Sequence, residues 1–136
     1  MRVAVFSTKT YDKVYLDRFN IKANHKLTYF EASLNSSTTN LTLGFEAVCV
    51  FVNDKIDSET IEKLSKNGIK IIALRCAGFN NVDIEAARQK NIEVVRVPAY
   101  SPQAVAEHAV ALILTLNRKT HKAFNRIREG NFSLEN

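Results

Sequence analysis

Glycine is scarce in this chain of 136 residues, and its placing excludes a class of sites. The four glycines stand at positions 44, 68, 78 and 130. Neither Gly-x-Gly-x-x-Gly nor a P-loop can be written at those spacings, so no nucleotide-binding loop is expected. Cysteine is as sparse. Cys49 and Cys76 fall in predicted strands without Cys-x-x-Cys or metal-ligand spacing, so two buried, reduced thiols are expected rather than a disulfide scaffold. No His/Cys/carboxylate cluster has the spacing of a metal site, and no metal is expected. Long apolar runs are also lacking. None exceeds the six residues Ala109 to Leu114, far short of a membrane span. The stretch Arg2-Val3-Ala4-Val5-Phe6 leaves no room for a signal peptide's apolar core, so a cytoplasmic chain with no membrane partner is expected. Pro- or Gly-rich linkers, internal repeats and low-complexity tracts are absent from the sequence.

What remains is the composition of an ordinary globular domain, 46% hydrophobic and 24% charged, with no signal of disorder. The net charge of +5 gathers in Arg2 to Lys26 and in Arg118, Lys119, Lys122, Arg126 and Arg128. Basic residues at the latter spacing form the solvated face of an amphipathic helix, and no nucleic-acid partner is expected. A domain that handles small anions gains from such a mildly positive field.

Five apolar, β-branched runs alternate with helical patterns. Strands are expected at 3–7, 27–31, 47–53, 70–76 and 92–97, and they read as strands covered on both faces. Helices are expected at Thr10 to Phe19, Ser58 to Lys66 and Asp83 to Lys90, with a weaker one near Ser37 to Leu43. Asp57 or Ser58 can cap the second of these, and Gly68 stands where a left-handed C-terminal residue is wanted. This alternation predicts an α/β fold: a flavodoxin-like, doubly wound parallel sheet in the order 2-1-3-4-5. A final helix opens with Ser101 as N-cap and Pro102 as first residue. Ala104 to Leu116 is apolar nearly all round and should be buried on several sides. Beyond Asn117, Phe124 and Ile127 oppose the basic residues until Gly130. A helix of roughly 28 residues would be about 42 Å long and reach towards a second domain or a second subunit.

In such a sheet, ligands bind beyond the carboxyl ends of the strands, near the switch in strand order. Those ends carry Ser7-Thr8-Lys9, Phe51-Val52-Asn53, Arg75-Cys76-Ala77-Gly78 and Ala99-Tyr100. A small-residue turn, two aromatics, a cation and an amide converge there, which suits a small organic anion. Each residue also has a plainer explanation. Gly78 can serve a positive φ or close backbone approach. Asn80, Asn81 and Asp83 can be turn formers and a helix cap, Phe51 core, and Tyr100 packing against the helix start. Arg75, ending a buried strand, needs anionic or carbonyl partners. Acidic residues after the first strand, as a phospho-acceptor receiver needs, are replaced by Ser7-Thr8-Lys9.

The blocks Val3 to Asp12, Ile72 to Asp83 and Val94 to His108 resemble the D-2-hydroxyacid dehydrogenases, most closely the fermentative D-lactate dehydrogenases. The resemblance covers the whole chain. It implies that the amides of Ala77 and Gly78 bind a substrate carboxylate, that Phe51 and Tyr100 line the methyl-side pocket, and that Arg75 supports the loop. Val105 would lie near the nicotinamide of NAD. Relatives carry Tyr or Phe at position 51. Residues 1–100 would then be an incomplete substrate domain, and 101–136 an inter-domain helix and the start of a cofactor and dimerisation domain. The family's arginine, carboxylate and histidine for hydride transfer come from further downstream. His25, His108 and His121 do not substitute, so no catalytic residue is expected here. The expectation is the substrate-binding portion of an NAD-dependent enzyme for pyruvate and D-lactate, or a similar small 2-keto/2-hydroxy acid pair. It should be inactive alone, bind no cofactor tightly, and form homo-oligomers through residues 101–130. The alternative is a free-standing flavodoxin-like module for binding or self-association.

Overall fold

The computed structural model describes residues 1–133. Five strands, β1 (Arg2–Val5), β2 (Lys26–Tyr29), β3 (Ala47–Val50), β4 (Ile71–Leu74) and β5 (Glu93–Arg96), form one sheet. Every pairing is parallel, and the order is β2-β1-β3-β4-β5. The helices are α1 (Thr10–Asn20), α2 (Ser58–Lys66), α3 (Ile84–Gln89), α4 (Pro102–Arg118) and α5 (Thr120–Arg128), with a 3-10 turn at Thr39–Thr42. The expected fold class and strand order are the ones observed, with each strand one to three residues shorter than its apolar run.

The chain divides into two compact units, Met1–Pro98 and the described residues from Ala99 onward. In the first unit the two sheet faces are covered unequally. On one face Ala4, Phe6, Val48, Val50, Ile72 and Leu74 meet Ile61 and Leu64 of α2 and Ala87 of α3 in a buried apolar core. Burying each such Ile, Leu or Phe side chain contributes about 1.5–3 kcal/mol before entropy. On the other face Val3, Val5 and Ala47 pack with Leu16 of α1, leaving an apolar groove of about 300 Å³ lined by residues such as Val5, Leu27 and Ile71. Covering of both faces therefore holds for β1 and most of β3, while β4 is only half-buried on the groove side and β5 keeps only Val94 half-buried.

Local chemistry explains the boundaries. Asp57 caps α2 by accepting from the Thr60 N–H at 3.0 Å, and Gly68 follows the helix at φ +85°. Asp83 caps α3 by accepting from the Ala86 N–H at 2.9 Å. Ser101 occupies the N-cap of α4, yet its hydroxyl makes no cap hydrogen bond.

The second unit corrects two expectations. The helical run is not continuous, because Lys119 adopts the left-handed conformation at φ 52°, ψ 33°. Its N–H closes α4 on the Thr115 carbonyl, and its own carbonyl accepts from Lys122 and Ala123 of α5. The 17 residues of α4 span roughly 25 Å rather than 42. Moreover, α4 has no buried residue, although its middle is apolar on most sides. Within its own unit, α4 meets α5 at the Lys119 break, and neither helix buries a residue.

Candidate functional site

The rim at the carboxyl ends of β1, β3 and β4 is held by two charged groups beneath it. Arg75 follows β4, with its side chain only 12% exposed. Its Nη1 donates to the carbonyls of Phe6 at 3.0 Å and Cys49 at 3.4 Å, and its Nη2 to that of Ser7 at 3.3 Å. The guanidinium also lies 3.5 Å from the Asp12 carboxylate of α1 and sits over the Phe51 ring, 5.4 Å from its centroid. Three strand ends are thereby tied to one side chain.

Asp54 is the second tie. It is 1% exposed, and its carboxylate accepts from the Ser7 hydroxyl at 2.7 Å, the Leu34 N–H at 2.8 Å and the Phe51 N–H at 2.6 Å. Ser7 is held at φ 50°, which costs a non-glycine residue of order 1–3 kcal/mol. Asp54 on its hydroxyl and Arg75 on its carbonyl over-determine that strained turn, which lies at the reversal of strand order between β1 and β3.

The turn after β4 completes the rim. Among the described residues, the backbone N–H groups of Ala77 and Gly78 find no acceptor. Their carbonyls are engaged, that of Ala77 by Arg96 Nη1 at 2.9 Å and that of Gly78 by the Cys76 thiol at 3.2 Å. The turn is thus fixed through its oxygens while two adjacent donors stay available, Ala77 half-buried and Gly78 exposed. Gly78 does not have the positive φ of Gly44, Gly68 and Gly130, and a Cβ built on it meets nothing within 4 Å. Neither plain explanation for this glycine survives: the fold itself has room for a side chain there.

Phe51, Arg75, Ala77 and Gly78 therefore share one rim of the first unit. Phe51 is half-buried and forms one wall of a polar cavity of about 270 Å³, lined also by Ser7, Lys9, Tyr11, Glu31, Ser33 and Asn53. Tyr100 and Val105 belong to the second unit, Tyr100 just before α4 and Val105 on its first turn, 78% and 62% exposed. The expected buried thiols are both half-buried and free. Burial pushes both thiols up from their ordinary pKa, so neither is a ready thiolate nucleophile at neutral pH. His25 lies 3.5 Å from the N-terminal amine, and His108 and His121 are exposed on α4 and α5. Among the described residues no cluster of three or more His, Cys, Asp or Glu could hold a metal.

Asp54 and Asn81 are the residues that sequence reasoning passed over or reduced to a turn role. Asn81 donates its side-chain amide to the carbonyls of Phe51 and Asp54, both at 3.0 Å. Both residues act between segments that lie 20 to 47 positions apart, which no local pattern reports.

Comparison with known proteins carries the same pattern to whole-chain length. Residues 3–132 match the family described as D-isomer specific 2-hydroxyacid dehydrogenase, catalytic domain. A 2-hydroxyacid dehydrogenase homolog of Haemophilus influenzae is 55% identical over 135 residues, covering 99% of this chain and 41% of that protein. D-lactate dehydrogenase of Escherichia coli is 53% identical over 135 residues, again 99% of this chain and 41% of that protein. Its apo structure superposes with a TM-score of 0.82 over 99% of this chain and 43% of that one. D-lactate dehydrogenase from Lactobacillus jensenii, solved with NAD+, is 30% identical, with a TM-score of 0.70 over 98% of this chain and 41% of that one. The chain thus spans about two fifths of the length of the relatives it matches, and over that span it belongs to the D-isomer specific 2-hydroxyacid dehydrogenases.

Proposed function

We propose that this chain is the substrate-binding portion of an NAD-dependent D-lactate dehydrogenase, the enzyme that interconverts pyruvate with NADH and D-lactate with NAD. The observation that carries the reading is the pair of unsatisfied N–H groups at Ala77 and Gly78, on a turn whose glycine the fold does not itself require. Two adjacent amides suit the two oxygens of a carboxylate, and hydrogen bonds to a charged acceptor are roughly twice as strong as neutral ones. Phe51 supplies an apolar wall for a substrate methyl, and Arg75 keeps the rim rigid. Tyr100 in the same methyl-side pocket and Val105 beside the nicotinamide are proposed on the family's pattern. Cytoplasmic location is part of this reading; among the described residues no helix is long and apolar enough to cross a membrane.

The first strand-to-helix turn does not fit the pyrophosphate of a dinucleotide. The first strand-to-helix turn, Ser7-Thr8-Lys9, has no glycine, and the Asp12 carboxylate already accepts from the Lys9 N–H at the start of α1, at 2.8 Å. A pyrophosphate would meet a negative charge where it needs free donors. The cofactor, when bound, would supply a hydride as NADH or take one up as NAD, and no step is assigned to it here. The residues of this stretch bind and orient the keto acid. A substrate-polarising arginine and a proton-donating histidine with its carboxylate are not assembled among them.

The test is a titration of the 136-residue chain with oxamate, a pyruvate-shaped probe, followed by the backbone amide resonances. Shifts centred on Ala77 and Gly78 with weak saturable binding are expected, together with no NADH-dependent pyruvate reduction. Binding elsewhere would refute the carboxylate assignment, and turnover would refute the division of labour. The apolar exposure of α4 favours one addition, homo-oligomers formed through residues 101–130.

A further inference from the structure

Phe51 is fastened at three points. Its N–H donates to the Asp54 carboxylate at 2.6 Å, its carbonyl accepts from the Asn81 side chain at 3.0 Å, and its ring rests on the Arg75 guanidinium. Asn81 belongs to the same loop as Ala77 and Gly78. Its second side-chain bond goes to the Asp54 carbonyl at 3.0 Å, so both amide protons are spent on the turn that carries Phe51. The backbone repeats the link. Ile56 N–H donates to the Asn81 carbonyl and Asp83 N–H to the Ile56 carbonyl, both at 2.9 Å, around the Ile56–Val82 bridge. The amide pair and the aromatic wall come from two loops, and Asn81 joins those loops by side chain and main chain together.

From this clamp we infer that Asn81 is a specificity-determining positioning residue, fixing the gap between the Ala77–Gly78 amides and the Phe51 ring and so the size of the 2-keto acid side chain that fits. The inference rests on the carboxylate reading of the rim. With the amides holding one end of the acid, the permitted length and bulk at the other end depend on how far Phe51 can retreat. A residue held at N–H, carbonyl and ring has little freedom to do so. Asp54 is too deeply tied, to Ser7 and Leu34 as well as Phe51, to be altered without disturbing the whole rim. Asn81 is half-buried, and its side-chain hydrogen bonds go to this turn.

The test is carried out on the intact polypeptide by titrating pyruvate and the bulkier 4-methyl-2-oxopentanoate, with the Gly78 amide resonance as readout. In the unmutated protein pyruvate is expected to bind more tightly. Asn81→Ala should shift the affinity ratio towards the bulkier acid by about fivefold or more, Asn81→Ser should shift it less, and neither should add to the effect of Phe51→Ala. A ratio unchanged in a folded Asn81→Ala protein overturns the inference while leaving the carboxylate reading in place. Failure of the unmutated protein to bind either acid overturns both. Should the variants not fold, the Asn81 side-chain amide resonances of the unmutated protein decide. They are expected to move when the bulkier acid presses on Phe51 and to stay with pyruvate, and an identical response to both acids overturns the inference.

Discussion

Replacing Gly78 separates the two reasons a protein can keep a glycine. If the fold needed it, through a positive φ or a close neighbour, any side chain would cost stability. The structure shows neither, so Gly78→Ala should be neutral or should stabilise by about 0.4–1 kcal/mol through lost freedom in the unfolded chain. For a chain of this length that is an upward shift of about 1–4 °C in the melting temperature. Binding should move the other way. A side chain at position 78 stands beside the N–H that a carboxylate must approach, and Gly78→Val blocks it more than Ala does. Loss of one charge-assisted hydrogen bond is worth about 1.5–3 kcal/mol, or roughly 10- to 150-fold in affinity. The assay pairs thermal unfolding with oxamate titration on the wild type and both variants. A marked fall in melting temperature for Gly78→Ala would show that the glycine is structural after all. Unchanged oxamate affinity in Gly78→Val would remove the carboxylate role, because no second function of this glycine is visible in the fold.

Asp57 offers a test of the fold by pH. Hydrogen bonds from the Thr60 hydroxyl and N–H, with Lys55 nearby, hold its carboxyl at about 2 against an ordinary 3.8. Because the folded-state pKa is depressed, the stabilisation is present above the unfolded value and fades as pH falls from about 4 through 2. Asp57→Ala should therefore cost about 0.5–2 kcal/mol at neutral pH, with the gap to wild type closing on acidification. Urea melts along that pH range check it, and a gap that persists to pH 2 refutes it. On α4, Val105, Ile113 and Leu116 are more than 60% exposed, and Val110 and Leu112 about half. A contiguous apolar patch of several hundred Å² is rare on a monomer. Sedimentation at micromolar concentration should show dimers or larger species, and a monomer that binds no hydrophobic dye would contradict this.

The sheet was legible because β-branched runs and short connections leave few arrangements, and parallel crossovers then restrict the order. Helix α2 was legible to the residue because Asp57 and Gly68 mark its ends chemically. The break at Lys119 was not. Lysine is a good helix former, its neighbours continue the pattern, and a single left-handed residue leaves no trace in periodicity. Burial of α4 was misjudged for a related reason, since an apolar helix states that it wants a partner and not which one. At the rim, sequence reasoning found the residues on the strand ends and missed what fastens them. Asp54 and Asn81 look like ordinary turn formers, and their importance lies in hydrogen bonds to segments distant in sequence.

Arg75 and Gly78 show how accounting for donors resolves residues that the sequence leaves ambiguous. A cation on a binding rim invites the role of anion receptor. Here three guanidinium hydrogen bonds go to backbone carbonyls, the Asp12 carboxylate lies beside Nε, and the flat face is covered by Phe51. A guanidinium so engaged could receive a substrate carboxylate only by abandoning these carbonyls; that of Cys49 keeps the Phe6 N–H, but those of Phe6 and Ser7 would lose the donor they have here. The amides of Ala77 and Gly78 carry no such obligation. Their turn is anchored by its oxygens, so accepting a ligand breaks nothing already made. The charge of a bound carboxylate would therefore be met at this end by backbone dipoles on a turn that Arg96 and Cys76 hold through its oxygens, while Arg75, the cation that looks like the receptor, ties the neighbouring strand ends together.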